Sequence, residues 1–191
     1  MPIEKTQSTD TVASGLIAKT SASEGVGAAG VFTLTCFDRD GNLKWEEKGS
    51  NLVVNTGLQY MVATSLDAGA QTTSWYLGLI QGPGATVSGT DTMAALGFTE
   101  VTAYSQSTRP QCVFGTATTA NPSVINNTAS TAQFDMTGTA TVGGAFLTSD
   151  NTKGGTTGTL FSGKAFSSPG DRSVVNGDIL RVTYSFSLTG T

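Results

Sequence analysis

The chain has 191 residues and a formal net charge of −4, with 38% hydrophobic and only 13% charged residues. It contains no histidine and two cysteines, which excludes a Ser-His-Asp or Cys-His catalytic site, a His-ligated metal and a dense disulfide framework. The acidic balance has the wrong sign for a phosphate-tracking surface, and no apolar run approaches the length of a membrane span.

Neutral small residues fill the shortfall in charge: 32 Thr and 19 Ser stand beside 24 Gly. Thr suits a pleated, half-buried surface, and Gly and Ser suit turns between short strands, so composition points to β-structure. Residues 1–30 hold no aromatic side chain, and Val12, Leu16 and Ile17 form their one small apolar group. Such a stretch buries too little apolar area to offset its backbone entropy, which predicts an N-terminal arm. Leu16 and Ile17 are its candidate anchors on a neighbouring subunit. The start, Met-Pro-Ile-Glu-Lys-Thr-Gln, has no apolar signal core, so export is not expected.

Residues 31–191 read as the globular domain. Val31 to Phe37 alternates, with Phe32, Leu34 and Cys36 on one face. Asp38-Arg-Asp-Gly-Asn42 is a turn signal, and Leu43 to Lys48 returns as the second arm of a hairpin. Asn55 and Thr56 then offer an N-cap for a helix from Gly57 to Leu66. Leu58, Met61, Val62 and Leu66 form its one-sided apolar stripe. Trp75 to Ile80 is a nearly continuous apolar run, the mark of a strand buried on both faces. Asp91 to Leu96 reads as a short capped helical turn.

From residue 99 onward every segment is strand-like. Candidate strands run over 100–104, 111–116, 123–127, 133–136, 141–147, 159–166 and 178–188. In the last, Leu180, Val182, Tyr184, Phe186 and Leu188 share one face. Burying all five would contribute about 8–15 kcal/mol gross, at roughly 1.5–3 each. Nine or ten short strands with one helix predict an all-β, jelly-roll-like β-sandwich; an immunoglobulin-like Greek key has the same periodicity.

Motifs that carry chemistry elsewhere fit poorly here. Gly25-Val-Gly-Ala-Ala-Gly30 matches a dinucleotide fingerprint in letters, but a polar segment precedes it and a strand follows, where the motif needs strand then helix. Asp38 to Asn42 resembles the start of a calcium loop, yet Leu43 and Gly49 stand where Gly and Glu are required. Glu46 and Glu47 are strand neighbours that point to opposite faces, so they cannot jointly flank a glycosidic bond. Cys36 and Cys112 sit in apolar surroundings and are expected as buried thiols, with a disulfide between them left open. Arg109, beside Pro110 at a strand edge, is suited to holding a loop through bidentate bonds or to meeting a partner. No cofactor or metal is expected.

Several segments together resemble a known family. They are Asp38-Arg-Asp-Gly-Asn with Lys44-Trp45-Glu46, then Asn51 to Leu58, Trp75 to Ile80, Asp91 to Ala94, Phe98 to Ser105 and Thr108-Arg-Pro110. Gly144 to Thr148, Thr152 to Leu160 and Ser173 to Asp178 complete the order. This succession resembles small structural proteins of tailed bacteriophages, over residues 31 to 188, although Phe98 stands where that family usually has Trp. The resemblance implies a non-enzymatic virion component, a capsid decoration or cement protein. It would bind the major capsid protein on the head exterior and self-associate as a dimer or trimer. Leu16, Ile17 and Arg109 are the candidate capsid contacts; nucleic acid and membrane are not expected partners. The alternative is a tail or fibre component, or a glycan-binding adhesin with Trp45 as its aromatic platform.

Overall fold

The computed structural model describes residues 25–167 and 170–190. The alternation at residues 31–37 becomes β1 (Val26–Phe37), which turns through residues 38–42 into β2 (Leu43–Ser50). The turn closes as its residue types demand: Asp38 N–H donates to Asn42 O at 2.9 Å, Asn42 N–H donates to Asp38 Oδ1 at 2.8 Å, and Gly41 has φ +84°. β1 begins at Val26, inside the segment that composition assigned to an arm. Residues 26–30 pair with the far end of the chain, and pairing supplies what their composition lacks.

The other elements are β3 (Leu52–Val53), α1 (Asn55–Leu66), β4 (Trp75–Gln81), β5 (Glu100–Val101), β6 (Gln111–Cys112) and β7 (Ser123–Asn126). β8 (Ala132–Asp135), β9 (Ala140–Thr148), β10 (Leu160–Ala165), β11 (Arg172–Val174) and β12 (Ile179–Gly190) follow. They form an all-β sandwich of two antiparallel sheets. One has the order β2-β1-β12-β7, with β8 also on β12. The other runs β3-β10-β9-β4-β5, with β11 on β9 and β6 on β4. Pairing is nested in jelly-roll fashion: β1 lies on β12, β3 on β10 and β4 on β9.

Between the sheets lies the main core. β1 gives Phe32, Leu34 and Cys36, β12 gives Leu180, Val182 and Tyr184, and β4 gives Leu77 and Leu79. A second cluster, Val54, Ile80, Met93, Phe98, Phe146 and Leu160, lies apart from it, with Val87 and Leu96 packed against it. Residues 82–99 thus cover the second sheet's outer face, which is why β4 is apolar on both sides.

Three local expectations change. Residues 91–96 form a turn braced by an isolated Thr92–Ala95 bridge, not a helical turn; the buried Asp91 carboxylate accepts Ser88 N–H at 2.9 Å across it. The N-cap of α1 is Val54, without a side-chain bond, because Thr56 Oγ1 instead donates to Leu160 O at 2.6 Å. The buried contact of α1 is Gly57, where an added Cβ would stand 2.1 Å from Phe161 O. That close approach rotates the stripe outward, leaving Leu58, Val62 and Leu66 exposed.

Candidate functional site

Arg109 makes four side-chain hydrogen bonds within the protein. It is 1% exposed, and its guanidinium grips Glu100 bidentately, Nε to Oε1 at 2.9 Å and Nη2 to Oε2 at 2.8 Å. Nη1 donates to Asp150 O at 2.9 Å and Nη2 to Gly155 O at 2.8 Å, while the plane lies 5.3 Å from the Phe146 ring centroid. Glu100 also accepts Gly154 N–H at 2.8 Å. One fork therefore ties β5, the 150–155 loop and the segment leading into β6. Beside it Lys153 Nζ donates to Tyr104 O and Gln106 O at 2.9 and 2.7 Å. The Asp150 carboxyl is held below its ordinary range, chiefly by the Thr157 hydroxyl that donates to it.

Arg109 is thus spent inside the protein, which corrects its reading as a capsid contact: an enclosed guanidinium cannot be reached by a partner. Leu16 and Ile17 lie outside the described residues. Sequence reasoning gave the fork's owner but missed Glu100, Asp150 and Gly155, which the fold brings together from positions 9 to 46 residues away.

Two further ion pairs tie β2 to the β11–β12 segment. Lys44 Nζ meets Asp178 Oδ2 at 2.5 Å, and Arg172 meets Glu47. Glu46 instead accepts from Thr35 on β1, so the two neighbouring glutamates are separated. Trp45 is half-buried, its Nε1–H donating to Ser173 O at 3.4 Å and its ring at 81° to that of Phe166, with centroids 6.4 Å apart.

Gly25 to Gly30 runs from the coil residue Gly25 into β1, so no phosphate-cradling loop forms there. Cys36 and Cys112 are free and buried. Burial pushes the Cys36 thiol up to about 11 and the Cys112 thiol up to about 12, so neither is a nucleophile near neutral pH. Among the described residues no group of three His, Cys, Asp or Glu assembles as a metal site. No helix among them is long and apolar enough to cross a membrane.

The open feature is apolar. A groove crosses α1 and the adjoining ends of β1 and β12, lined by Leu58, Val62, Leu66, Val26 and Leu188. Val62 is 60% and Leu66 85% exposed. Through Met61 and Leu188 it continues into a cavity of about 240 Å³ walled by Tyr60, Trp75, Phe114, Phe161 and Phe186. β12 explains the site: its apolar alternation stays buried to Tyr184, then emerges at Phe186 and Leu188.

Comparison with known proteins yields no match to a family model, a curated protein or a solved structure.

Proposed function

We propose that this is a virion structural protein, a bacteriophage capsid decoration or cement protein that acts by adhesion on the head exterior. The observation that carries the reading is spatial. The segments that resemble the phage family meet as structural clamps: Phe98 to Ser105, Thr108 to Pro110 and Thr152 to Leu160 converge on Arg109. Lys44-Trp45-Glu46 meets Ser173 to Asp178 through the Lys44–Asp178 pair and the Trp45–Ser173 bond. The resemblance therefore rests on residues that brace loops, and bracing suits a part that must keep its shape under load.

The partners in this reading are major capsid subunits and further copies of the chain. Individual contacts need not be tight, because repetition on a lattice raises effective affinity. A net charge of −4 keeps the subunit off the genome. Mass spectrometry of purified heads freed of tails tests the proposal. The protein is expected in the head fraction in many copies; absence from particles, or presence only in tails, would overturn it.

A further inference from the structure

Two apolar periodicities that each predict burial come out exposed at the same place. One is the α1 stripe, Leu58, Val62 and Leu66; the other is the last part of β12, ending at Leu188. A contiguous exposed apolar surface marks a contact site. The cavity behind it favours an apolar occupant, since its wall is mostly aromatic and aliphatic and the hydroxyls of Thr64, Tyr60 and Tyr184 are already bonded. Thr64 Oγ1 donates to Tyr60 O at 2.8 Å, Tyr60 OH accepts Thr72 N–H at 2.8 Å, and Tyr184 OH accepts Asn51 Nδ2–H at 2.9 Å.

The described chain begins at the rim of this groove, because Val26 is one of its lining residues. The 24 residues before Gly25 carry the apolar group Val12, Leu16 and Ile17, set among Ala13, Ser14, Gly15 and Ala18, which are small enough for close packing. From Ile17 to Gly25 the chain needs only residues 18–24, a tether that reaches about 25 Å when extended. That exceeds the roughly 10–12 Å breadth of a helix with its side chains. A tether this short holds the segment at an effective concentration of about 1 mM, so even a contact with a Kd of about 100 µM would be about nine-tenths filled.

We infer that the groove across α1, β1 and β12 is the docking site for the chain's own Val12–Ile17 segment, seated in the same molecule. Leu16 and Ile17 then anchor the base of the arm to its own body, and the polar residues before Val12 are what the arm can offer a neighbour. The inference stands apart from the capsid reading, since it concerns the free protein.

Cysteine pairs in the full-length chain test it: Leu16→Cys or Ile17→Cys, each combined with Val62→Cys or Leu66→Cys. Val62 and Leu66 are exposed, and the native thiols are buried. Under mild oxidation at least one pair is expected to close within a monomer, at a yield independent of protein concentration. Only the two native thiols then remain titratable after denaturation. The double substitution Leu16→Asp, Ile17→Asp should increase binding of an apolar fluorescent dye, and Val62→Asp should abolish that increase. Disulfide-linked dimers that grow with concentration would put the arm on a second copy and overturn the inference. So would no disulfide from any pair, or dye binding equal in the wild type and the double variant.

Discussion

Replacing Arg109 with Ala removes the centre of the clamp while leaving its partners buried. Glu100, whose side chain is 4% exposed, would keep Gly154 N–H as a donor, and the carbonyls of Asp150 and Gly155 would lose theirs. Breaking a buried pair by removing one partner costs about 3–5 kcal/mol. That is a large share of the ~5–15 kcal/mol by which a typical domain is stable. For a chain of 191 residues it corresponds to a fall in Tm of about 6–20 °C. Arg109→Lys should recover only part, because one ammonium cannot span both Glu100 oxygens and two carbonyls. Removing both charges, in Arg109→Ala with Glu100→Ala, should cost less than the sum of the single changes, since no orphaned carboxylate remains. Thermal and urea unfolding followed by circular dichroism compare the wild type with Arg109→Ala, Arg109→Lys, Glu100→Ala and the double variant. A loss below about 1 kcal/mol for Arg109→Ala would refute the claim that a buried pair holds this end together; strict additivity of the two single changes would refute it as well.

Gly57→Ala should cost about 3 kcal/mol or more, because the new Cβ would overlap Phe161 O and push α1 off β10; soluble expression and the melting curve report it. Tyr184→Phe should cost about 1–2 kcal/mol in denaturant unfolding, as Asn51 and Ser162 both lose the hydroxyl they bond. Both cysteines should resist a maleimide at pH 8 in the folded protein and react fully once it is unfolded. The raised Cys36 thiol also sets a direction with pH. The folded state holds its proton up to about 11, whereas the unfolded chain releases it near the ordinary value of 9.0. This contribution to stability is therefore complete below pH 9 and is lost as pH rises toward 11, which alkaline unfolding curves will show.

Alternation made the sandwich legible. Phe32, Leu34 and Cys36 on β1, and Leu180, Val182 and Tyr184 on β12, face the core as their period of two requires. β5 and β6 stop at Val101 and Cys112, short of the expected 100–104 and 111–116, because beyond them the backbone makes single bonds, Thr137 N–H to Ala103 O and Gly115 N–H to Asn126 O, rather than a ladder. The one-sided stripe of α1 was legible too, yet amphipathicity says only that one face is apolar and not what covers it. Gly57 decides the orientation, and its role is visible only once Phe161 is in place. The clamp was half legible: an Arg beside Pro110 announces a loop brace, but its carboxylate and carbonyl partners follow from topology.

The pairing of β1 with β12 fixes when the molecule can come together. Val26 meets Gly190 and Phe37 meets Ile179, so the first of the described strands must wait for the last of them. During translation β1 has only β2 beside it, and its other edge stays open until residues 179–190 clear the ribosome. Folding must then close a loop of nearly the whole chain, an entropic demand that makes assembly slow and leaves the nascent chain exposed to intermolecular strand addition. The charged residues of β2, Lys44, Glu46, Glu47 and Lys48, guard the outer border of that early hairpin, where a stray partner would otherwise attach.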